Sequence, residues 1–132
     1  FNKDGMNSFC HYAFGSVCEW MFAYMAGIDM LEPGFKRILF KPQPWKGMDF
    51  VTATYRSAHG EIKSSWRIEN DVVYLSLKVP VNTTAVLHIP INEESKSVKY
   101  DPNNPLVNFV KENLKEAVFE LESGEFEFSF AI

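Results

Sequence analysis

The chain has 132 residues, of which 46% are hydrophobic and 15% aromatic, and carries a net charge of −4. That length holds one domain of ordinary size with a short extra element, and the apolar content is too high for wholesale disorder. The acidic balance has no basic cluster behind it, which argues against nucleic acid or an anionic membrane surface as a partner.

In chain order, the first element is a helix. No proline interrupts residues 9–26, Asn7 or Ser8 is placed to cap the start, and Gly27 stands where a left-handed C-terminal residue belongs. The spacing predicts about 18 helical residues, about 27 Å in length. Phe9, Tyr12, Phe14, Val17, Trp20, Met21, Phe22, Tyr24 and Met25 point all round the axis, so this helix requires burial on nearly every side. A membrane span is the rival reading of so long an apolar run. Against it, His11 and Glu19 fall inside the run, and an acid costs about 3 kcal/mol at depth. Lys3 and Asp4 also fail to form the basic start of a secretory signal.

Ser8, His11, Gly15 and Glu19 follow at spacings of three and four, which stacks them into one polar stripe on the helix. Gly15 weakens a helix, so its place in the stripe predicts a close approach to the backbone there. Packing against another helix, with His11 and Glu19 hydrogen-bonded in a core, is the plainer explanation; a ligand site is the other. Cys10 and Cys18 would lie about 12 Å apart along the axis, beyond disulfide reach, and are expected to be small buried thiols. His11, His59 and His88 fall in three different elements, so no metal site is expected.

Residues 28–34, with Asp29, Glu32, Pro33 and Gly34, end the helix and turn the chain, which marks a linker and domain boundary. Beyond it the period becomes two. Strands are expected at 35–41, 49–56, 61–68, 73–79, 85–89, 118–122 and 125–131, with a weaker one at 98–100. In 61–68, Ile62, Ser64, Trp66 and Ile68 share one face, and Val73, Leu75, Leu77 and Val79 alternate likewise after the turn at Glu69-Asn70-Asp71. Asn82-Thr83-Thr84, formally a glycosylation sequon, is expected to be a hairpin turn. Ser123-Gly124 is expected to close a final hairpin, with Phe126, Phe128 and Phe130 facing the core, and residues 105–115 to hold a short helix. The whole reads as a mainly β chain: one N-terminal helix, then an antiparallel two-sheet sandwich of the jelly-roll kind with about eight strands. Trp45, in a loop, and Tyr74, on the polar side of its strand, are candidates for stacking on a sugar ring; covering a domain junction is the other role open to such residues.

Taken in order, Asn7-Ser8-Phe9-Cys10-His11-Tyr12-Ala13-Phe14-Gly15-Ser16-Val17, Glu19-Trp20, Ala26-Gly27-Ile28, Pro33-Gly34-Phe35-Lys36-Arg37-Ile38 and Pro42-Gln43-Pro44 resemble the C-terminal part of bacterial α-L-rhamnosidases of glycoside hydrolase family seventy-eight. Tyr55-Arg56-Ser57, Gly60, Ser64-Ser65-Trp66 and Val79-Pro80-Val81-Asn82-Thr83-Thr84-Ala85 continue the resemblance over about the first ninety residues. Such enzymes carry a six-hairpin α/α barrel followed by a β-sandwich. The resemblance implies that residues 1–27 are the barrel's last helix, that 28–34 is the linker and that 35–132 is the sandwich. It places His11 at the sugar pocket as a substrate-binding residue, puts the acid and base of an inverting hydrolysis upstream of this stretch, and calls for no cofactor. Cys10 departs from the family, which usually has Asn there.

The expected function is therefore a non-catalytic C-terminal piece of a rhamnoside-cleaving enzyme. It would brace the upstream barrel of the same polypeptide, contribute His11 to binding of rhamnose-containing glycans, and self-associate through its helix when isolated. The alternative is a free-standing carbohydrate-binding module; a module's helix needs only one apolar stripe, whereas this one is apolar nearly all round.

Overall fold

The computed structural model describes residues 12–91, 98–113 and 115–132, and side chains within the first helix from residue 15 onward. Helix α1 runs Tyr12–Trp20 and passes directly into a π-helical turn, Met21–Ala26. Gly27 ends it in the left-handed region (φ 67°, ψ 33°), its N–H bonded to the Phe22 carbonyl, as the sequence predicts. The expected N-caps Asn7 and Ser8 lie outside the described residues.

Among the described residues nine strands follow: β1 Ile28–Met30, β2 Arg37–Phe40, β3 Phe50–Ser57, β4 Gly60–Glu69, β5 Val72–Val79, β6 Thr84–Pro90, β7 Val107–Glu112, β8 Glu116–Leu121 and β9 Gly124–Ala131. They form two sheets, ordered β1-β2-β6-β8-β7 and β3-β4-β5-β9. Every pair is antiparallel except β2 and β6, which run parallel from Arg37↔Thr84 to Phe40↔Leu87. Between these two strands the chain visits the other sheet for β3, β4 and β5, so no tight turn imposes an antiparallel return.

The core lies where the inner faces meet. Ile38, Phe40, Leu87, Ile89, Phe119 and Leu121 from one sheet pack against Ile62, Trp66, Val73, Leu75, Leu77, Phe126, Phe128 and Phe130 from the other. Burying each of these large side chains contributes about 1.5–3 kcal/mol. The alternation read in 61–68, 73–79 and 125–131 thus points inward as expected. Asn70 and Asp71 both have positive φ and close the tight β4–β5 hairpin, a two-residue turn whose twist suits the flanking strands.

Several expectations are corrected. Residues 28–34 are not wholly linker, because β1 pairs with β2 from Ile28↔Phe40 to Met30↔Ile38 and Ile28 is buried. The expected strand at 35–41 starts only at Arg37: Pro33–Phe35 is a 3-10 turn in which Gly34 and Phe35 both take positive φ. The expected helix within 105–115 is strand β7 instead. The open edge of β8 offers it a ladder, and Phe109 opposes Phe119 with ring centroids 5.4 Å apart, a tertiary pairing that overrides local propensity. Neither Asn82-Thr83-Thr84 nor Ser123-Gly124 closes a hairpin. β5 and β6 belong to different sheets, as do β8 and β9, so both turns carry the chain across the sandwich. Thr83 stabilises the first crossing by donating its hydroxyl to the Pro80 carbonyl at 2.7 Å. The weak strand at 98–100 reduces to a single bridge, Lys99↔Ser129.

Candidate functional site at the helix junction

Among the described residues the helix meets the sandwich at its last turn, where Ala26 is buried. Residues 15–20 are all exposed, and Val17, Trp20, Met21, Phe22 and Tyr24 remain 55%, 50%, 47%, 37% and 58% accessible, an apolar surface that calls for a cover. Trp20 and Tyr24, one turn apart, stack on each other with ring centroids 6.0 Å apart. Nothing in the described structure lies within 4 Å of the place a Gly15 side chain would occupy, so the approach expected at Gly15 is not made by this chain's described residues. Cys18, expected to be a buried thiol, is exposed for the same reason: its helix projects from the fold. Cys10 and His11 lie outside the described residues; Glu19, on the same stripe, is exposed.

Its end is where the described helix is held. The last turn leaves carbonyls without intrahelical partners, and β4 supplies donors from the inner face of its sheet. The Ser64 hydroxyl donates to the Ala26 carbonyl at 2.6 Å, and the Trp66 indole N–H to the Met25 carbonyl at 2.8 Å. Ser64 and Trp66 are 0% and 1% exposed. Gly27 adds a third tie, its carbonyl accepting the Lys41 amide at 2.7 Å. A side chain on Gly27 would collide with the Lys41–Pro42 peptide, which explains why glycine alone fits there. An apolar groove of about 210 Å³ runs between Met21, Phe22 and Met25 on one side and Val51 and Ala53 on the other.

Sequence reasoning did not assign the clamp to Ser64 and Trp66. The available signal was Ser64 itself, a polar residue on an otherwise apolar face of β4, since such a group requires a partner in the core. Trp45 meets Trp66 edge-on at 6.3 Å and is 40% exposed, so it covers the outer end of this junction. Phe35 is spent on Tyr55, with centroids 4.6 Å apart. Tyr74 lies on the outward face of β5, where the Arg67 guanidinium is 4.7 Å from its ring.

His59 sits in the β3–β4 turn, its amide bonded to the Ser57 hydroxyl at 3.1 Å. His88 is a strand residue whose Nδ1 lies 2.9 Å from a Glu116 carboxylate oxygen. That hydrogen bond, opposed by burial and assisted by the charges of His88, Lys41 and Lys111, holds the Glu116 carboxyl below its ordinary range. No three His, Cys, Asp or Glu residues converge on a metal-sized site among the described residues, and no described helix is long and apolar enough to cross a membrane.

The succession of a clamped apolar helix and a two-sheet sandwich defines a known class. Residues 27–101 match the family model of the bacterial alpha-L-rhamnosidase C-terminal domain, and the chain belongs to that family. Among particular proteins, it is 36% identical over 132 residues to an alpha-L-rhamnosidase of Formosa agariphila, covering 97% of this chain and 14% of that protein. An alpha-L-rhamnosidase of Streptomyces avermitilis is 36% identical over 129 residues. The crystal structure of the Streptomyces avermitilis enzyme complexed with L-rhamnose superposes with a TM-score of 0.81 over 98% of this chain and 12% of that one. The chain therefore spans about an eighth to a seventh of the length of the curated relatives it matches.

Proposed function

We propose that this chain is the C-terminal portion of a glycosidase that cleaves terminal α-L-rhamnosides with inversion. Residues 1–27 form the last helix of an α/α-barrel catalytic domain, the segment 28–34 joins it to the sandwich while lending edge strand β1 to it, and 35–132 supplies the remaining strands. The chain is not catalytic alone. Inversion needs a carboxylic acid to protonate the leaving oxygen and a carboxylate to activate water from the opposite face; in this reading both come from the remainder of the longer polypeptide. His11 hydrogen-bonds a rhamnose hydroxyl in the pocket of that barrel, and the sandwich braces the helix that carries it.

The observation that supports this reading is the helix itself: Val17, Trp20, Met21, Phe22 and Tyr24 are exposed, yet its end is anchored by a buried and a half-buried hydrogen bond from β4. A free-standing carbohydrate-binding module would have no use for so wide an uncovered apolar surface.

The test compares hydrolysis of an aryl α-L-rhamnoside by this chain and by the longer polypeptide that carries it. Turnover by the longer chain alone is expected; turnover by the short one overturns the assignment of catalysis elsewhere. In the longer enzyme His11→Ala should raise KM for the rhamnoside while the protein stays folded, and unchanged kinetics would remove His11 from the pocket.

A further inference from the structure

A second feature lies away from the helix, on the outward face of the β3-β4-β5-β9 sheet. Phe50 stands there 69% exposed, without the burial that a phenyl ring ordinarily finds. The strand register sets it in a row with Arg67 and Tyr74, since Phe50 opposes Arg67 and Arg67 opposes Tyr74. Arg67 is fixed from two sides, by its place over the Tyr74 ring at 4.7 Å and by an Nε bond to Glu69 at 2.8 Å. Two residues along the strands, about 7 Å away, runs a polar row: Thr52 opposes Ser65, Ser65 opposes Ser76, and Ser76 opposes Glu127. The Thr52 and Ser65 hydroxyls are 2.8 Å apart and share a hydrogen bond.

Between the two rows lies a depression of about 340 Å³, near the lower end of the about 300–1,000 Å³ typical of small-molecule sites. Its chemistry is divided in a particular way. One wall is flat and aromatic or guanidinium; the other offers three hydroxyls and a carboxylate on rigid, hydrogen-bonded strands. A pyranose has the matching division, an apolar C–H face and a rim of hydroxyls. Rings stack on the first, and Ser, Thr and Glu oxygens pair with the second. A protein partner on this face would have to bury Arg67 and Glu127 as well, at a cost in desolvation.

We propose that this face is a glycan-binding subsite separate from the helix junction. It takes a neutral pyranose, with Phe50 as the stacking plate and Ser76 and Glu127 as hydroxyl acceptors. It rests on the glycan-processing reading above only in the choice of sugar. Its use would be to hold a second residue of a rhamnose-bearing glycan, which raises the local concentration of substrate for the attached catalytic domain.

The test follows backbone amide shifts of the full chain by NMR while it is titrated with methyl α-L-rhamnoside and with a rhamnose-capped disaccharide. Saturable shifts at residues 50, 52, 65, 76 and 127 are expected, tighter for the disaccharide than for the monosaccharide. Phe50→Ala and Glu127→Gln should each weaken binding about tenfold or more; both positions face outward, so the core is spared. Absence of shifts on this face at tens of millimolar sugar overturns the proposal, as do shifts that neither substitution alters. The two readings fail separately. Rhamnoside hydrolysis by the longer polypeptide without binding at Phe50 removes the subsite and leaves the enzyme assignment. Binding at Phe50 without hydrolysis by the longer chain does the reverse.

Discussion

Ser64→Ala probes the clamp most directly. The substitution deletes one oxygen from a site with no solvent access, and the Ala26 carbonyl, itself in a residue only 1% exposed, loses its 2.6 Å donor. Leaving a buried acceptor without its partner costs about 1–3 kcal/mol. Because the hydrogen bond joins the helix end to the sheet, the loss falls on the equilibrium between docked and detached helix, a factor of roughly 5 to 140 in that equilibrium. Trp66→Phe removes the second donor, to Met25 at 2.8 Å, while keeping most of the ring in the core. The two carbonyls are adjacent, so the double variant should lose less than the sum of the singles. Native-state hydrogen exchange reads the effect at the amides of residues 21–27, where Gly27 N–H closes the last turn on Phe22. Exchange there should accelerate by the factor above in Ser64→Ala. Unchanged exchange at those amides, with the variant folded, would refute the claim that β4 holds the helix.

Three further outcomes follow from the geometry. Gly27→Ala should cost about 2–5 kcal/mol, from the left-handed backbone together with collision against the Lys41–Pro42 peptide, whereas Gly34→Ala, at φ 73° with open space around it, should cost only about 1–2 kcal/mol; equal shifts in urea midpoint would contradict the packing argument. The lowered Glu116 carboxyl contributes stability that is fully present above its usual value of 4.5 and is lost as pH falls through its folded value. Glu116→Gln should therefore flatten the acid limb of the stability profile, and a limb of unaltered slope would show that the pairing with His88 contributes nothing. The isolated chain should self-associate through Val17, Trp20, Met21, Phe22 and Tyr24, and Trp20→Lys with Tyr24→Lys should return it to monomer in X-ray scattering; a monomeric parent at high concentration would contradict this.

Much of this architecture was written in local patterns. Strict alternation in 61–68, 73–79 and 125–131 determined which side chains face the core, because the period of a strand is two and a single slip would expose every one of them. Gly27 announced the end of the helix, since the left-handed backbone there suits a residue without a Cβ. The motif order from Asn7 to Ala85 carried the family, although His11, on which the sugar contact depends, lies outside the described residues.

Tertiary structure decided what local pattern does not encode. Ser123-Gly124 reads as a hairpin turn from its residues alone, yet β8 finds its partners in β6 and β7 and β9 finds β5, so the same turn crosses between sheets. Residues 107–112 become a strand because the edge of β8 was open to them. Ser64 and Trp66 acquire their role from helix carbonyls 38 and 41 residues away in the chain, and Phe50 joins Arg67 and Tyr74 only once three strands lie side by side. A residue's own periodicity specifies the face it presents; what meets that face depends on long-range pairing, which closes only when the whole sandwich does.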